Sequence, residues 1–145
     1  MVEKILNLKG SFVLNVFDLK GNLLEHYEDR NLVVNGGRTA VMLLLGAGNT
    51  AKQLTKLSVG TNGTAPVGSD TAITGAFTKS LGTVTYPTIS SVKFDWTLTA
   101  LEANGINIAE FGLLCTDNTL FARKTRAVIA KNSDIILNGS WTISF

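Results

Sequence analysis

Catalysis by a side-chain nucleophile needs a tuned base beside it, and this chain has one histidine, His26, in the polar run Glu25-His-Tyr-Glu-Asp29. That setting fits an exposed histidine at a strand end better than a general base. The single cysteine, Cys115, follows the apolar run Phe111-Gly-Leu-Leu114, with no basic cluster or helix start beside it to favour the thiolate. A buried small apolar residue is expected there, the alternative being a Cys115/His26 pair. Without a second cysteine there is no internal disulfide and no sulfur-built zinc site. The 11 carboxylates are scattered, with no paired spacing for a glycosidase or a calcium loop, and only distant residues such as Asp95 and Glu110 are left to meet in space. Gly46-Ala-Gly48-Asn-Thr-Ala51 has the form of a dinucleotide fingerprint, but it follows a helical pattern and leads into no helix that would receive a pyrophosphate. It reads as a helix stop and loop. Lys52 lacks the flanking glycine and hydroxyl of a phosphate loop. No catalytic residue, cofactor or metal ligand is nominated, and the chain is read as non-enzymatic.

Arg123, Lys124, Arg126 and, a little further on, Lys131 form the one basic concentration. Charges of this kind commonly protect an exposed strand edge from aggregation. The sharper reading is a contact with an acidic neighbouring subunit or with host-surface polysaccharide. Trp96 and Trp141 share strand parity with Val, Phe, Leu or Ile, so both are assigned to the core instead of to a sugar-stacking face. Asn62-Gly-Thr64 and Asn138-Gly-Ser140 are glycosylation sequons in form only.

The elements that hold these residues must come from 145 residues, enough for one domain over 1–145, with the first ten residues a candidate arm. Apolar residues make up 45% and charged residues 17%, against roughly 25% charged in an average soluble domain. Much of the surface must be Thr, Ser, Asn and Gly, or be covered by another subunit. The balance of 13 basic and 11 acidic residues points to neither nucleic acid nor anionic membrane. The N-terminus lacks the apolar core and cleavage site of a signal peptide, and no apolar run approaches a membrane span, so residence or assembly in a cytoplasm is expected.

Phe12-Val-Leu-Asn-Val-Phe17 and Leu23-Leu24 to Tyr27 flank Asp18-Leu-Lys-Gly21-Asn22, which predicts a β-hairpin. Residues 37–45 carry the only helical pattern, with Ala40, Val41, Leu44 and Leu45 on one side, Asn35 as N-cap and Gly46 as stop. Leu54 to Gly60 predicts a short strand, and Thr61 to Asp70 a loop of turn formers. Val92, Phe94, Trp96 and Leu98 alternate with polar residues, as do Trp141, Ile143 and Phe145. Ile106 to Leu114 and Thr119 to Val128 are further strands. Of the four Asn-Gly pairs, those at Asn104 and Asn138 are expected to make tight turns before strands. The fold expected is all-β, an antiparallel, jelly-roll-like β-sandwich with one short helix near residues 36–45. Its core is assigned to Phe12, Leu14, Val16, Val92, Phe94, Trp96, Leu98, Trp141, Ile143 and Phe145, and a charge at Trp96 is expected to prevent folding. The Thr61–Asp70 loop, the Thr83–Ser91 segment and the first ten residues are expected to order on assembly.

The succession Asn31-Leu-Val-Val-Asn-Gly-Gly37, Leu57-Ser-Val-Gly-Thr-Asn-Gly-Thr-Ala-Pro66, Ile108-Ala-Glu-Phe-Gly-Leu113, Thr119-Leu-Phe-Ala-Arg123 and Trp141-Thr-Ile-Ser-Phe145 resembles small structural proteins of tailed bacteriophages, of tail-fibre, collar or baseplate type. The resemblance implies a β-sandwich that assembles, often as a homotrimer, and docks onto other virion proteins; it supplies no catalytic residues. There is no room here for a fibre shaft and receptor-binding tip, so a collar, baseplate, short fibre base or capsid decoration is expected instead of a complete fibre. The alternative is a carbohydrate-binding module for host-surface glycan, using an exposed aromatic pair and loop Asn or Asp residues.

Overall fold

The computed structural model describes residues 7–145. Strands β1 (Lys9–Asp18) and β2 (Leu23–Val33) form the expected hairpin. Asp18 Oδ1 accepts from the Lys20 and Asn22 amides, both at 2.9 Å, while Gly21 takes a φ of +85° that an L side chain resists. Helix α1 (Asn35–Ala47) follows and is longer than its pattern suggested. Its N-cap is Val34, not Asn35, because the Val34 carbonyl already accepts from Gly37 and Arg38 while the Asn35 amide donates to Gly68. Its stop is Gly48, not Gly46: at a φ of +59° its amide reaches Leu44 and the next amide reaches Leu43, which satisfies the last carbonyls.

After a 3-10 turn at Thr50–Lys52 come β3 (Leu54–Gly60), β4 (Phe77–Ser80), β5 (Val84–Thr88), β6 (Ser91–Leu98), β7 (Asn107–Cys115), β8 (Leu120–Ala130) and β9 (Ile135–Ser144). All nine strands join one sheet in the order β4-β3-β7-β8-β2-β1-β9-β6-β5, and every neighbouring pair is antiparallel. Over the described residues the architecture is all-β with one α-helix.

The sheet curls over on itself. Strands β6 and β7 stand five places apart in the sheet, about 24 Å if it were flat. Yet the rings of Trp96 on β6 and Phe111 on β7 have centroids 5.7 Å apart, and Phe12 on β1 lies 4.8 Å from Phe111. Two wings, β4-β3-β7-β8 and β2-β1-β9-β6-β5, therefore face each other across these aromatics. Their junction is thin, since β2 and β8 pair only at Leu32↔Arg123 and Val33↔Ala122. Beyond those two residues the strands part.

Eight of the ten assigned core residues are buried, among them Phe12, Trp96 and Trp141. Val92 is half-buried against the core. Phe145 departs from its parity: it lies past the end of β9, its amide donates to the Ser90 carbonyl at 3.3 Å, and its side chain is 58% exposed. Asn138-Gly139 is likewise no turn. Both residues sit within β9, and Gly139 is required because a Cβ there would overlap the Val13 carbonyl and press to 2.8 Å from Trp96 Cζ2. Asn104-Gly105 does make the turn before β7, with Gly105 at a φ of +85°.

Candidate functional site

The basic concentration does not lie on a free edge, because β8 is an interior strand between β7 and β2. Arg123 is 1% exposed. Its Nε donates to Glu110 Oε2 at 2.7 Å, Nη1 to Asp70 Oδ2 at 3.0 Å and Nη2 to the Asn62 carbonyl at 2.8 Å. The wholly buried Glu110 accepts from the Thr74 amide on its other oxygen at 2.6 Å, and Asp70 accepts from the Val67 amide. A planar, always-charged guanidinium suits this task, since it makes three fixed-direction bonds without losing its proton. One side chain thus ties the Thr61–Asp70 loop to β7 and β8, so a buried charge holds that loop against the chain's own strands.

Lys124 and Arg126 occupy the gap where β2 and β8 separate. Lys124 Nζ donates to Asp29 Oδ2 at 2.5 Å and Arg126 Nη1 to Glu25 Oε2 at 2.9 Å, and both cations lie over the Tyr27 ring. The Lys124 hydrogen bond, helped by the Arg30 amide and Tyr27, brings the Asp29 carboxyl down to about 2. Burial pulls Lys124 down, but its bonds to Asp29 and Tyr27 outweigh this and leave it above the ordinary lysine value. Side chains here replace the missing backbone ladder. Lys131 is buried, donates to Asn104 Oδ1 at 2.8 Å and to the Asn132 carbonyl at 2.9 Å, and is pulled below the usual lysine range by desolvation. The four cations therefore belong to three separate settings, each with internal partners.

His26 lies within β2, not at its end, and its ring nitrogens face Asn15 Oδ1 at 2.6 Å and Glu28 Oε1 at 3.1 Å, so it forms no pair with Cys115. Cys115 is wholly buried, and desolvation, with the charge of Asp117, pushes its thiol up to about 11. Such a thiol is a packing group. Glu110 accepts from Arg123 on one oxygen and from the Thr74 amide on the other, and Asp95, on β6, is not among its partners. Lys52 donates to Asp117 at 2.6 Å and to Thr119 Oγ1 at 2.9 Å, which pins the β7–β8 turn. Among the described residues no group of three or more His, Cys, Asp or Glu is placed to hold a metal, and no helix is long and apolar enough to cross a membrane.

The structure opens instead an apolar cleft between α1 and the β5–β6 hairpin. A cavity of about 630 Å³ is lined by Val41 and Leu44 from the helix, Val84, Tyr86 and Ile89 from the hairpin, and the C-terminal Phe145. A second hollow of about 450 Å³ continues it past Met42 and Leu45, sharing Leu8, Val41 and Phe145 with the first. Sequence reasoning placed Leu45 on the inner side of the helix, but it is 77% exposed. A signal was present in the run Val41-Met-Leu-Leu-Leu45, because five consecutive apolar residues cannot all share one face of a 3.6-residue helix. Ile89, in the hairpin turn, carried no periodic signal.

In comparisons with known proteins, no family model, no curated protein and no solved structure matches the chain.

Proposed function

We propose that this chain is a non-enzymatic structural subunit of a tailed-bacteriophage particle, part of a collar, tail fibre or baseplate appendage, which acts as a rigid β-sandwich block and assembles with itself, as a trimer by resemblance, and with other virion proteins. The observation that carries this reading is the uncovered apolar cleft on a chain with only 17% charged residues. Contiguous apolar surface of this kind marks a place where another macromolecule sits. The aromatic contacts between the wings and the Arg123 clamp support the rigidity, since both hold segments far apart in sequence to one geometry. On this reading the protein resides in the virion, assembled in the bacterial cytoplasm. Immunogold labelling with antibody to the purified chain should decorate the tail or collar of particles, and its peptides should appear in protease-treated, gradient-purified virions. Unlabelled particles that yield no peptides would overturn the assignment.

One observation favours the carbohydrate-binding alternative: Tyr86 and Phe145, both exposed aromatics, line the same cleft. Glycan-array binding by the isolated chain, lost in Tyr86→Ala, would select it.

A further inference from the structure

We propose that the cleft between α1 and the β5–β6 hairpin is closed by a second copy of this chain, whose own hairpin tip, Tyr86 to Ile89, enters it. The proposal rests on the self-assembling subunit above and names the surface through which it assembles. Its first support is area. Met42, Leu45, Val84, Tyr86, Ile89 and Phe145 range from 44% exposure at Val84 to full exposure at Ile89. At about 200 Å² for a fully exposed aromatic side chain and about 150 Å² for an aliphatic one, they present roughly 700 Å². That exceeds the ~300–600 Å² of the largest apolar patch on a typical monomer and approaches the ~800 Å² that each partner contributes to a standard stable interface.

Charge and shape point the same way. Arg38 is the only charged residue among the described lining residues, so a desolvated apolar partner costs little at the centre while Arg38 remains at one side. A projecting tip and a hollow lie side by side on one subunit. Such a surface allows a head-to-tail contact between rotated copies, and repeated contacts of tip into hollow close a ring when the rotation allows.

The contact runs through side chains, not through an extended sheet. Strand β5 ends the sheet, but Pro87 within it has no backbone N–H to offer a further strand. Val84 and Tyr86, on one parity, both line the cleft.

The test is the mass of the purified full chain by light scattering and sedimentation from about 1 to 100 μM, a range that reports weak to moderate self-association. It compares the unaltered chain with Leu45→Glu on the helix, Ile89→Asp on the hairpin, and Leu101→Glu as a control on an exposed residue that does not line the cleft. Thermal unfolding of each variant shows that the fold survives. Expected is a concentration-dependent oligomer whose dissociation constant rises at least about 30-fold in Leu45→Glu and in Ile89→Asp and is unchanged in Leu101→Glu. An oligomer indifferent to both cleft variants overturns the proposal and leaves the structural-subunit reading standing, since the copies would then meet elsewhere. A monomer at every concentration also overturns it. If that monomer binds glycans through Tyr86 the cleft is a sugar site. Virion labelling decides the subunit reading independently of all these outcomes.

Discussion

Arg123 and Glu110 form a buried diagonal pair across β8 and β7, with Nε to Oε2 at 2.7 Å and almost no solvent on either side chain. Removing Arg123 leaves Glu110 charged in a dry place, which costs about 3–5 kcal/mol, while removing Glu110 leaves Arg123 with Asp70 as its remaining carboxylate. Arg123→Met should lower stability by that order in urea unfolding, Glu110→Leu by less, and both should expose the Thr61–Asp70 loop to limited proteolysis. The double variant Arg123→Met with Glu110→Leu should be closer to the unaltered chain in stability than the two single losses summed. Its loop should still be cut, because Asn62 and Thr74 lose their partners. Strict additivity would show that the pair is not coupled.

Gly139 and Gly46 predict opposite signs for the same substitution. Gly139→Ala forces a Cβ into the Val13 backbone and against Trp96, neither of which can give way, and should cost on the order of 3 kcal/mol. Gly46 lies in α1 with open space around it, so Gly46→Ala should stabilise by roughly 0.5–1 kcal/mol. Urea midpoints of the two variants check both.

Asp29 and Asp117 dominate the expected acid sensitivity. Lys124 brings the Asp29 carboxyl, and Lys52 the Asp117 carboxyl, from 3.8 down to about 2. A carboxyl lower in the folded than in the unfolded chain contributes stability that is complete above its unfolded value and is lost as protons bind. The loss should therefore run from about pH 4 down to about pH 2. Asp29→Asn and Asp117→Asn should each flatten the curve of urea midpoint against pH across that window and leave its slope above pH 5 unchanged.

Cys115 should be silent to thiol reagents in the folded state. With its thiol pushed up to about 11 and no exposed surface, it should fail to react with a disulfide reagent at pH 8 until urea unfolds the chain. A single reacting thiol per chain should then appear with the unfolding transition. Rapid reaction under native conditions would place Cys115 at a surface.

Local chemistry made much of the fold legible. The Asp18–Asn22 turn, the alternation from Val92 to Leu98 and the burial of both tryptophans follow from residue type and spacing, because a strand turns successive side chains to opposite faces whatever lies beyond. The same local reading misplaced the ends of α1, the Asn138-Gly139 pair and Phe145, since caps, close approaches and the last rung of a ladder depend on what packs against them. The basic residues show the difference most plainly. Arg123, Lys124, Arg126 and Lys131 are neighbours in sequence, yet Glu110 reaches Arg123 only through the pairing of β7 with β8, Asp29 and Glu25 reach Lys124 and Arg126 only where β2 parts from β8, and Asn104 reaches Lys131 only through the turn before β7. The cleft has the same origin. Its walls come from a helix near the start of the chain, a hairpin in the middle and the last residue, so no window of sequence contains it, and only the packing of one wing over the other brought its apolar side chains to a common surface.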